Sequence, residues 1–367
     1  MRIATFNVEN LFNRPKPFNT EYDTAGRQIL KDYYELNNLL REPEYTDSIK
    51  TEIETFVQQY KLIDRTIQER DLVLRDIRKK LWIQHKDGTK TWQVNGYAEF
   101  LGWVELEKDP VDADAIQNTA RVLAEVNADI QLLIEIEDRT TLQKFHDNIL
   151  KPMLEDEGKE PYKHILLLDG NDGRGIDIGL LSRVPVEWIR SHIEVLNNAK
   201  HPMFPRDCIQ FVFALKNGEK LVLFGNHFSS QASDKTGKRR KEQSELVSEY
   251  VKATLATYQN VVVAGDFNEN PSKGSMTKLL TKSKLKDAML MEQYKDKDIF
   301  PGTFKTGSAT NKLDYLLLSE SLQNKVLEIN VNRKGYKSRK WEPYPTVKEE
   351  WTYASDHHCV WVELDIE

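Results

Sequence analysis

Six short stretches of this sequence gather side chains that can bind cations or move protons. They are Asn7-Val8-Glu9-Asn10, Glu135-Ile136-Glu137-Asp138, Asn226-His227, Gly265-Asp266-Phe267-Asn268, Leu313-Asp314-Tyr315 and Ser355-Asp356-His357-His358. Each follows or lies within an apolar run that reads as a strand. Taken singly they are ordinary: an acidic residue after a strand is usually a loop residue or helix cap, and a lone histidine is usually structural. Together they are costly, because burying many ionisable groups near one another costs free energy unless they are paired or used. Amide and carboxylate oxygens such as those of Asn7 and Glu135 suit a hard cation, Mg²⁺ or Mn²⁺, rather than zinc. Imidazoles beside carboxylates suit proton transfer.

The elements that must position these groups follow from the apolar pattern. In Arg2–Asn7, Ile3, Thr5 and Asn7 share one face and Ala4 and Phe6 the other. Strand-like runs recur at Ile130–Ile134, Ile165–Leu168, Ile176–Leu181, Cys208–Leu215, Leu221–Phe224, Val261–Ala264, Leu313–Leu318 and Cys359–Leu364. Helical spacing separates them, with Ile116, Ala120, Leu123 and Val126 on one stripe and Leu246, Tyr250 and Leu255 on another. Interleaved strands and helices predict an α/β protein whose sheets are covered by helices. Most of the polar stretches fall at strand C-terminal ends, where ligands bind in open α/β sheets.

One region is patterned differently. Ile49, Ile53, Phe56, Tyr60, Ile63, Ile67, Arg70, Leu74, Ile77 and Leu81 keep an alternating four-three spacing, which predicts one long helix with a narrow seam, capped by Asp47 or Ser48. Ile29, Tyr33, Leu36 and Leu40 carry the same spacing, so a helical hairpin is expected, followed by a β-hairpin turning at Asp87-Gly88 in a type I′ geometry. The seam is expected to bury the two helices against each other or the main body. Self-association or a protein partner bound through residues 28–82 is the alternative, and Arg70 in mid-seam weakens the case for a long uninterrupted homodimer.

Composition narrows the field. Fifty-two basic against 58 acidic residues give a net charge of −6, which argues against a protein that coats nucleic acid through bulk positive charge. It leaves room for an enzyme that grips phosphate through a cation and a few donors. No run approaches the roughly 18 apolar residues of a membrane-spanning helix, and Met1 is not followed by an apolar leader segment. Cys208 and Cys359 are too few for a disulfide framework, so both are read as free thiols. A cytoplasmic globular protein with no membrane partner is the expectation.

The ordered motifs FNVENLF (Phe6–Phe12), ADIQLLIEIED (Ala128–Asp138), DGRGIDIGLLSR (Asp172–Arg183), GNHFSSQ (Gly225–Gln231), AGDFNENP (Ala264–Pro271), KLDYLLLS (Lys312–Ser319) and ASDHHCV (Ala354–Val360) resemble the endonuclease/exonuclease/phosphatase superfamily, of which deoxyribonuclease I is the fold type. The resemblance covers about 1–13 and 110–367. It implies a four-layer α/β sandwich of two mixed β-sheets flanked by helices, a single domain over 1–367 with the helical hairpin and β-hairpin inserted at 19–98. It further implies Asn7 and Glu135 as metal ligands, with Glu9 and Asp356 ligating directly or through water, and favours Glu135 over Glu137. Asp266 would orient or deprotonate the attacking water. Asn268 would fix the position of Asp266 or donate to a phosphate oxygen. His357 would bond a non-bridging oxygen or exchange protons, Asp314 would set its tautomer, and His227 would be a second donor. His358 is read as a strand residue facing away.

Arg174 and Arg206 are candidates to hold substrate phosphate, or else loop arginines in salt bridges. The basic run Lys235–Lys241 could guide a polyanion or simply face solvent. The expected activity is a metal-dependent phosphodiesterase, foremost a nuclease cutting DNA or RNA with Mg²⁺ or Mn²⁺. The Leu313-Asp314-Tyr315 segment departs from the Cys-Asp-Arg of inositol-polyphosphate phosphatases. A phosphatase or phosphodiesterase for small phosphorylated molecules is the alternative, and a partner-binding protein with a decayed site is a third reading.

Overall fold

Side-chain alternation decides which way each functional residue points. In the computed structural model, which describes residues 1–16, 23–64, 66–67 and 70–367, the strand Arg2–Asn7 sends Ile3 into one apolar cluster and Ala4 and Phe6 into another. The chain divides into two units, Met1–Phe12 with Val111–Glu367, and Asn13–Pro110.

The first unit holds two six-stranded mixed sheets. One runs Val326–Asn332, Cys359–Leu364, Arg2–Asn7, Ile130–Ile136, Asp177–Ser182, His164–Leu168. The other runs Val186–Arg190, Cys208–Ala214, Lys220–His227, Asn260–Asp266, Asp314–Leu318, Lys286–Asp287. Each has one parallel pair at its centre, Arg2–Asn7 with Ile130–Ile136 and Lys220–His227 with Asn260–Asp266, and is antiparallel elsewhere. All the strands expected from the apolar runs are present, and Val186–Arg190 and Val326–Asn332 add to them.

Between the sheets lies the main core, including Ile3, Leu132, Ile134, Leu221, Leu223, Val262, Ala264, Leu316 and Val362. Each of the Ile, Leu and Val side chains among these contributes roughly 1.5–3 kcal/mol on burial. The outer face of the first sheet packs on the helix Ala113–Val126 and the helical stretch Arg139–Asp156. The outer face of the second packs on Lys238–Leu255 and Thr277–Lys282. The result is helix, sheet, sheet, helix: an α/β sandwich of four layers. At Gly225 the sheets approach closely: an added Cβ would lie 2.8 Å from Leu132 Cδ1. Both cysteines are free and buried. Among the described residues, no helix is long and apolar enough to cross a membrane.

The second unit departs from the heptad reading. Its second helix is Asp47–Gln59, capped by Thr46, whose hydroxyl accepts the Ile49 N–H, rather than by Asp47 or Ser48. The helix stops there: Lys61 has φ 50° and the chain re-forms as the strand Leu72–Arg78, paired with Leu101–Leu106. Two supposed seam residues, Ile63 and Ile77, are exposed, so the four-three spacing was not one continuous stripe. The uninterrupted seam behind the self-association reading is therefore absent. The two helices do pack together. Gln59 Nε2 and the Tyr60 hydroxyl donate to Asp32 at 3.0 and 2.6 Å, and Leu36, Ile53 and Val57 share a core with Leu72, Trp82 and Val104.

The expected β-hairpin is present as Trp82–Gln84 with Lys90–Trp92. Its turn differs from type I′. The Gly88 N–H donates to His85 O and only Gly88 has positive φ, which makes a three-residue loop closed by a left-handed glycine. The strands Asn13–Pro15 and Lys108–Pro110 pair at the unit's ends, so its boundaries lie outside the expected 19–98.

Candidate active site

Inward parity at the ends of four strands assembles the centre. Along Lys220–His227, Leu221 and Leu223 face the other sheet, and the same alternation carries Gly225 and His227 inward. Asp266 follows Val262 and Ala264, and Asp314 precedes Leu316 and Leu318. His227 is the register partner of Asp266, and Asp266 is that of Asp314, so the three lie side by side across adjacent strands. Asn7 approaches from the first sheet, its Nδ2 donating to Asp266 Oδ2 at 3.2 Å.

Glu135 needs a special device. Continued alternation after Ile134 would send Glu135 to the outer face. Instead the ladder slips: Ile134 pairs with Ile178 and Ile136 with Asp177, leaving Glu135 as an extra residue at φ 67°. This bulge returns Ile136 to the outer core and brings a Glu135 oxygen to 3.6 Å from His227 Nε2. Glu137, the alternative ligand, accepts the N–H groups of Leu11 and Phe12 instead. Glu9 and Asn268 also have positive φ, at 52° and 51°. Non-glycine residues held there cost of order 1–3 kcal/mol each and mark functional sites.

The motif Gly265-Asp266-Phe267-Asn268 has a separable reason for each residue. Gly265 has φ 131° and a Cβ there would fall 1.9 Å from Asn226 O, so no side chain fits. Phe267 anchors the turn against Phe228 and Tyr315, at ring separations of 4.6 and 5.3 Å. Asn268 donates its N–H to Asp266 Oδ1 at 2.8 Å and its side-chain amide to Phe228 O. Asn268 thus fixes Asp266.

The second half of the site comes from Ser355–His357. The Ser355 hydroxyl donates to Asn7 O at 2.7 Å and accepts the His357 N–H. His357 Nδ1 donates to Asp314 Oδ2 at 2.8 Å, which turns Nε2 toward Asp266 Oδ2 at 3.8 Å and Asp356 Oδ1 at 3.9 Å. Thr303, which no motif singled out, donates to the same Asp314 oxygen and accepts the N–H of Asp314 itself. Its only sequence signal is its place in the Gly302-Thr303-Phe304 turn before the strand. His358 donates from Nε2 to Lys305 O and stays out of the centre, as expected.

The electrostatics separate the two histidines. Burial lowers His227 well below the ordinary histidine range, and Arg206, Arg174 and His357 reinforce it, so it is neutral. Its Nδ1 is buried with no hydrogen-bond partner. Burial would lower His357 too, but Asp314 and Asp266 outweigh it and hold the imidazole protonated. Burial pushes Asp266 above the usual carboxylate range; His357 pulls against this while Asp314 and Glu135 add to it.

Arg174 and Arg206 meet at Asp172. Arg174 grips it with Nε and Nη2 at 2.9 and 2.7 Å, and Arg206 Nη1 lies at 3.3 Å. The pair holds Asp172 at about 2, burial notwithstanding. Arg206 also donates to Phe228 O, beside His227. The basic run divides: Lys235, Lys238 and Lys241 face solvent, whereas Arg240 is buried, bonded to Glu269 and to the carbonyls of Ser230 and Asp234.

The residues fit a divalent cation. Asp266, Asp314 and Asp356 crowd negative charge around the His357 histidinium, Glu135 faces His227, Glu9 accepts the Asp356 N–H, and Asp314 Oδ1 is buried without a hydrogen-bond partner. Ligand atoms of Asp266, Asp314 and His357 lie within 4.8 Å of one another. Hard oxygens dominate the donor set.

The sequence pattern of the endonuclease/exonuclease/phosphatase family matches residues 110–340. Similar solved structures include truncated TDP2 from Caenorhabditis elegans, 17% identical over 68% of this chain and 89% of that one at a TM-score of 0.45. The human Nocturnin catalytic domain is 14% identical over 69% and 87%, at 0.48. A mannosyl-6-phosphatase from Bacteroides thetaiotaomicron is 19% identical over 68% and 91%, at 0.47. No curated protein matches the chain. With the family pattern spanning well over half its length, the chain belongs to the endonuclease/exonuclease/phosphatase family, whose members hydrolyse phosphoesters.

Proposed function

We propose that this protein is a divalent-metal-dependent nuclease that hydrolyses phosphodiester bonds of DNA or RNA by attack of an activated water. The observation that carries the reading is the spacing around Asp266 Oδ2: His227 Nε2 at 3.7 Å and His357 Nε2 at 3.8 Å, both facing one carboxylate oxygen. These distances are too long for direct hydrogen bonds and suit groups that each bond a substrate or water oxygen between them.

In this reading Asn7, Glu9, Glu135 and Asp356 hold Mg²⁺ or Mn²⁺. The cation supplies Lewis-acid stabilisation of phosphate charge. Asp266, steadied by the Asn268 N–H and the Asn7 amide, accepts a proton from the water as its oxygen attacks phosphorus and the leaving oxygen departs on the far side. His357, protonated and oriented by Asp314, donates to a non-bridging oxygen, and neutral His227 donates to another. Arg174 and Arg206 lend positive potential beside His227.

Two other readings remain as outcomes of the test. Small phosphorylated molecules would need the same centre, whereas a decayed site would have lost one of Asn7, Glu135, His227, Asp266 or His357, and all five are present. The test is incubation of the purified chain with single-stranded and duplex DNA, RNA, bis(p-nitrophenyl) phosphate and p-nitrophenyl phosphate, with Mg²⁺ or a chelator. Chelator-sensitive cleavage of nucleic acid supports the nuclease. Turnover of the monoester alone overturns it in favour of a phosphatase, and no turnover at all in favour of a binding protein.

A further inference from the structure

One flank of the site carries a feature that the hydrolytic chemistry does not use. The Phe304 ring lies 4.8 Å from the His357 ring, and the two residues form an isolated antiparallel bridge. Next to it, Lys305 is held at φ 47°, its N–H donating to Asp356 O at 2.7 Å and its carbonyl accepting His358 Nε2 at 2.8 Å. A lysine kept in the left-handed region by bonds to both neighbours of His357 is positioned backbone, not a slack loop. Its Nζ sits 5.1 Å over the Phe304 ring, within cation–π range.

The loop between the last two strands of the first sheet completes the flank. Tyr336 packs edge-on against Tyr353 at 4.7 Å and lies 5.8 Å from the His358 ring. Tyr336 is half-buried. Lys337 and Lys340 are exposed on the same loop, Lys340 Nζ reaching Thr306 O at 3.0 Å, and among the described residues neither they nor Lys305 forms an ion pair. Glu350 disfavours a phosphate at the Tyr353 end. The charge thus divides the flank into a cationic end at Lys305 and Lys340 and an aromatic end at Tyr336 and Tyr353.

We infer that Phe304, Lys305, Tyr336 and Tyr353 form a nucleotide subsite beside His357, in which an unpaired base stacks on the aromatic end while Lys305 takes the adjoining phosphate, so that the enzyme selects single-stranded nucleic acid. The inference rests on the nuclease reading. In a duplex the faces of a base are covered by its neighbours, whereas a strand with splayed bases offers them to aromatic rings, and every base has such a face. Selection is then by strandedness rather than sequence.

The experiment measures kcat and KM of the full chain with Mg²⁺ on a labelled single-stranded oligonucleotide and on its duplex, for the wild type, Tyr336→Leu and Lys305→Met. The expected wild-type kcat/KM is at least tenfold higher on the single strand. Each substitution raises the single-strand KM by about tenfold, the scale of one lost stacking or phosphate contact, with kcat changing less than threefold, and moves the strand preference toward one. A wild-type preference near one overturns the inference without recourse to variants, and so does an equal KM rise on both substrates. Nucleic-acid cleavage without strand preference leaves the nuclease reading standing, whereas turnover of bis(p-nitrophenyl) phosphate with neither oligonucleotide cut overturns that reading itself.

Discussion

Asn7 and Asp266, 259 residues apart in sequence and each the last residue of a central parallel strand in its own sheet, are joined by a hydrogen bond of 3.2 Å across the gap between the sheets. The bond ties the oxygen donors of one sheet to the proton acceptor of the other. Any relative shift of the sheets would register at this pair, and the Gly225–Leu132 contact fixes their approach nearby.

Asp266→Asn keeps the oxygen that accepts the Asn268 N–H but removes the proton acceptor. Turnover is expected to fall by roughly 10²–10⁴ with KM changed far less. Steady-state kinetics on a diester substrate check this, and near-normal kcat would remove Asp266 from the chemistry.

Glu135 sits at φ 67° as the extra residue of a bulge, where a glycine fits without strain and an alanine does not. Glu135→Gly should therefore be more stable than Glu135→Ala by about 1 kcal/mol. Both should lose the rise in melting temperature that saturating Mg²⁺ confers on the wild type, since a ligand bound only to the folded state stabilises by about 2.7 kcal/mol at a hundredfold excess over Kd. Calorimetric melts with Mg²⁺ and with chelator separate the two effects.

Asp177 is buried and accepts the Gly170 N–H, yet burial, with Asp169, Asp172 and Asp138 adding, pushes its carboxyl up to about 7. The folded state then holds a proton that the unfolded chain releases near pH 4. Stability falls as pH rises from about 4 to about 7 and is level above, a penalty of about 4 kcal/mol. Asp177→Asn should raise the melting temperature by several degrees at pH 8 and hardly at all at pH 4. Equal shifts at both pH values would refute the assignment.

Arg240 is buried against Glu269, with Asp234 close by, and bonds three carbonyls of the loop after His227. Arg240→Met strands the Glu269 charge and should cost about 3–5 kcal/mol, much of it recovered in the double variant with Glu269→Leu. Urea denaturation of the three proteins measures the coupling. Simple additivity would mean the pair acts separately.

The Val111 N–H donates to Phe12 O at 2.8 Å, so the chain leaves and re-enters the first unit at one point. Joining Phe12 to Val111 through two glycines should leave a protein that melts cooperatively, and the isolated Asn13–Pro110 segment should fold on its own core. Circular dichroism melts decide, and a flat trace for either piece would show that the units depend on each other.

The sandwich was legible because its strands are buried on both faces and read as apolar runs, and because inward parity at Asn7, His227, Asp266 and Asp314 is a period-two property that sequence displays. The aim of Glu135 was not, since a bulge breaks the parity from which its direction would be read. Nor was the true extent of the helix at Asp47–Gln59: Leu74, Ile77 and Leu81 continued its spacing by coincidence, while the polar stretch around Asp64, Arg70 and Asp71 was the signal that it had ended. On the helix Lys238–Leu255 the buried stripe is Arg240, Gln243, Ser244, Val247, Ser248 and Val251, with Leu246, Tyr250 and Leu255 only partly covered. A buried arginine held by carbonyls leaves no apolar trace. Thr303 and Lys305 owe their importance to partners far away in sequence, which no local pattern reveals.

The kink at Glu135 also makes the reading frame of its strand unforgiving. Removing Ile136 would restore an unbroken ladder with Asp177–Ser182 and put Glu135 opposite Asp177: its carboxylate would swing to the helix side, and Glu137, which receives the Leu11 and Phe12 amides, would be carried off its post. Natural variation along this segment should consist of exchanges of one side chain for another, never of changes in length.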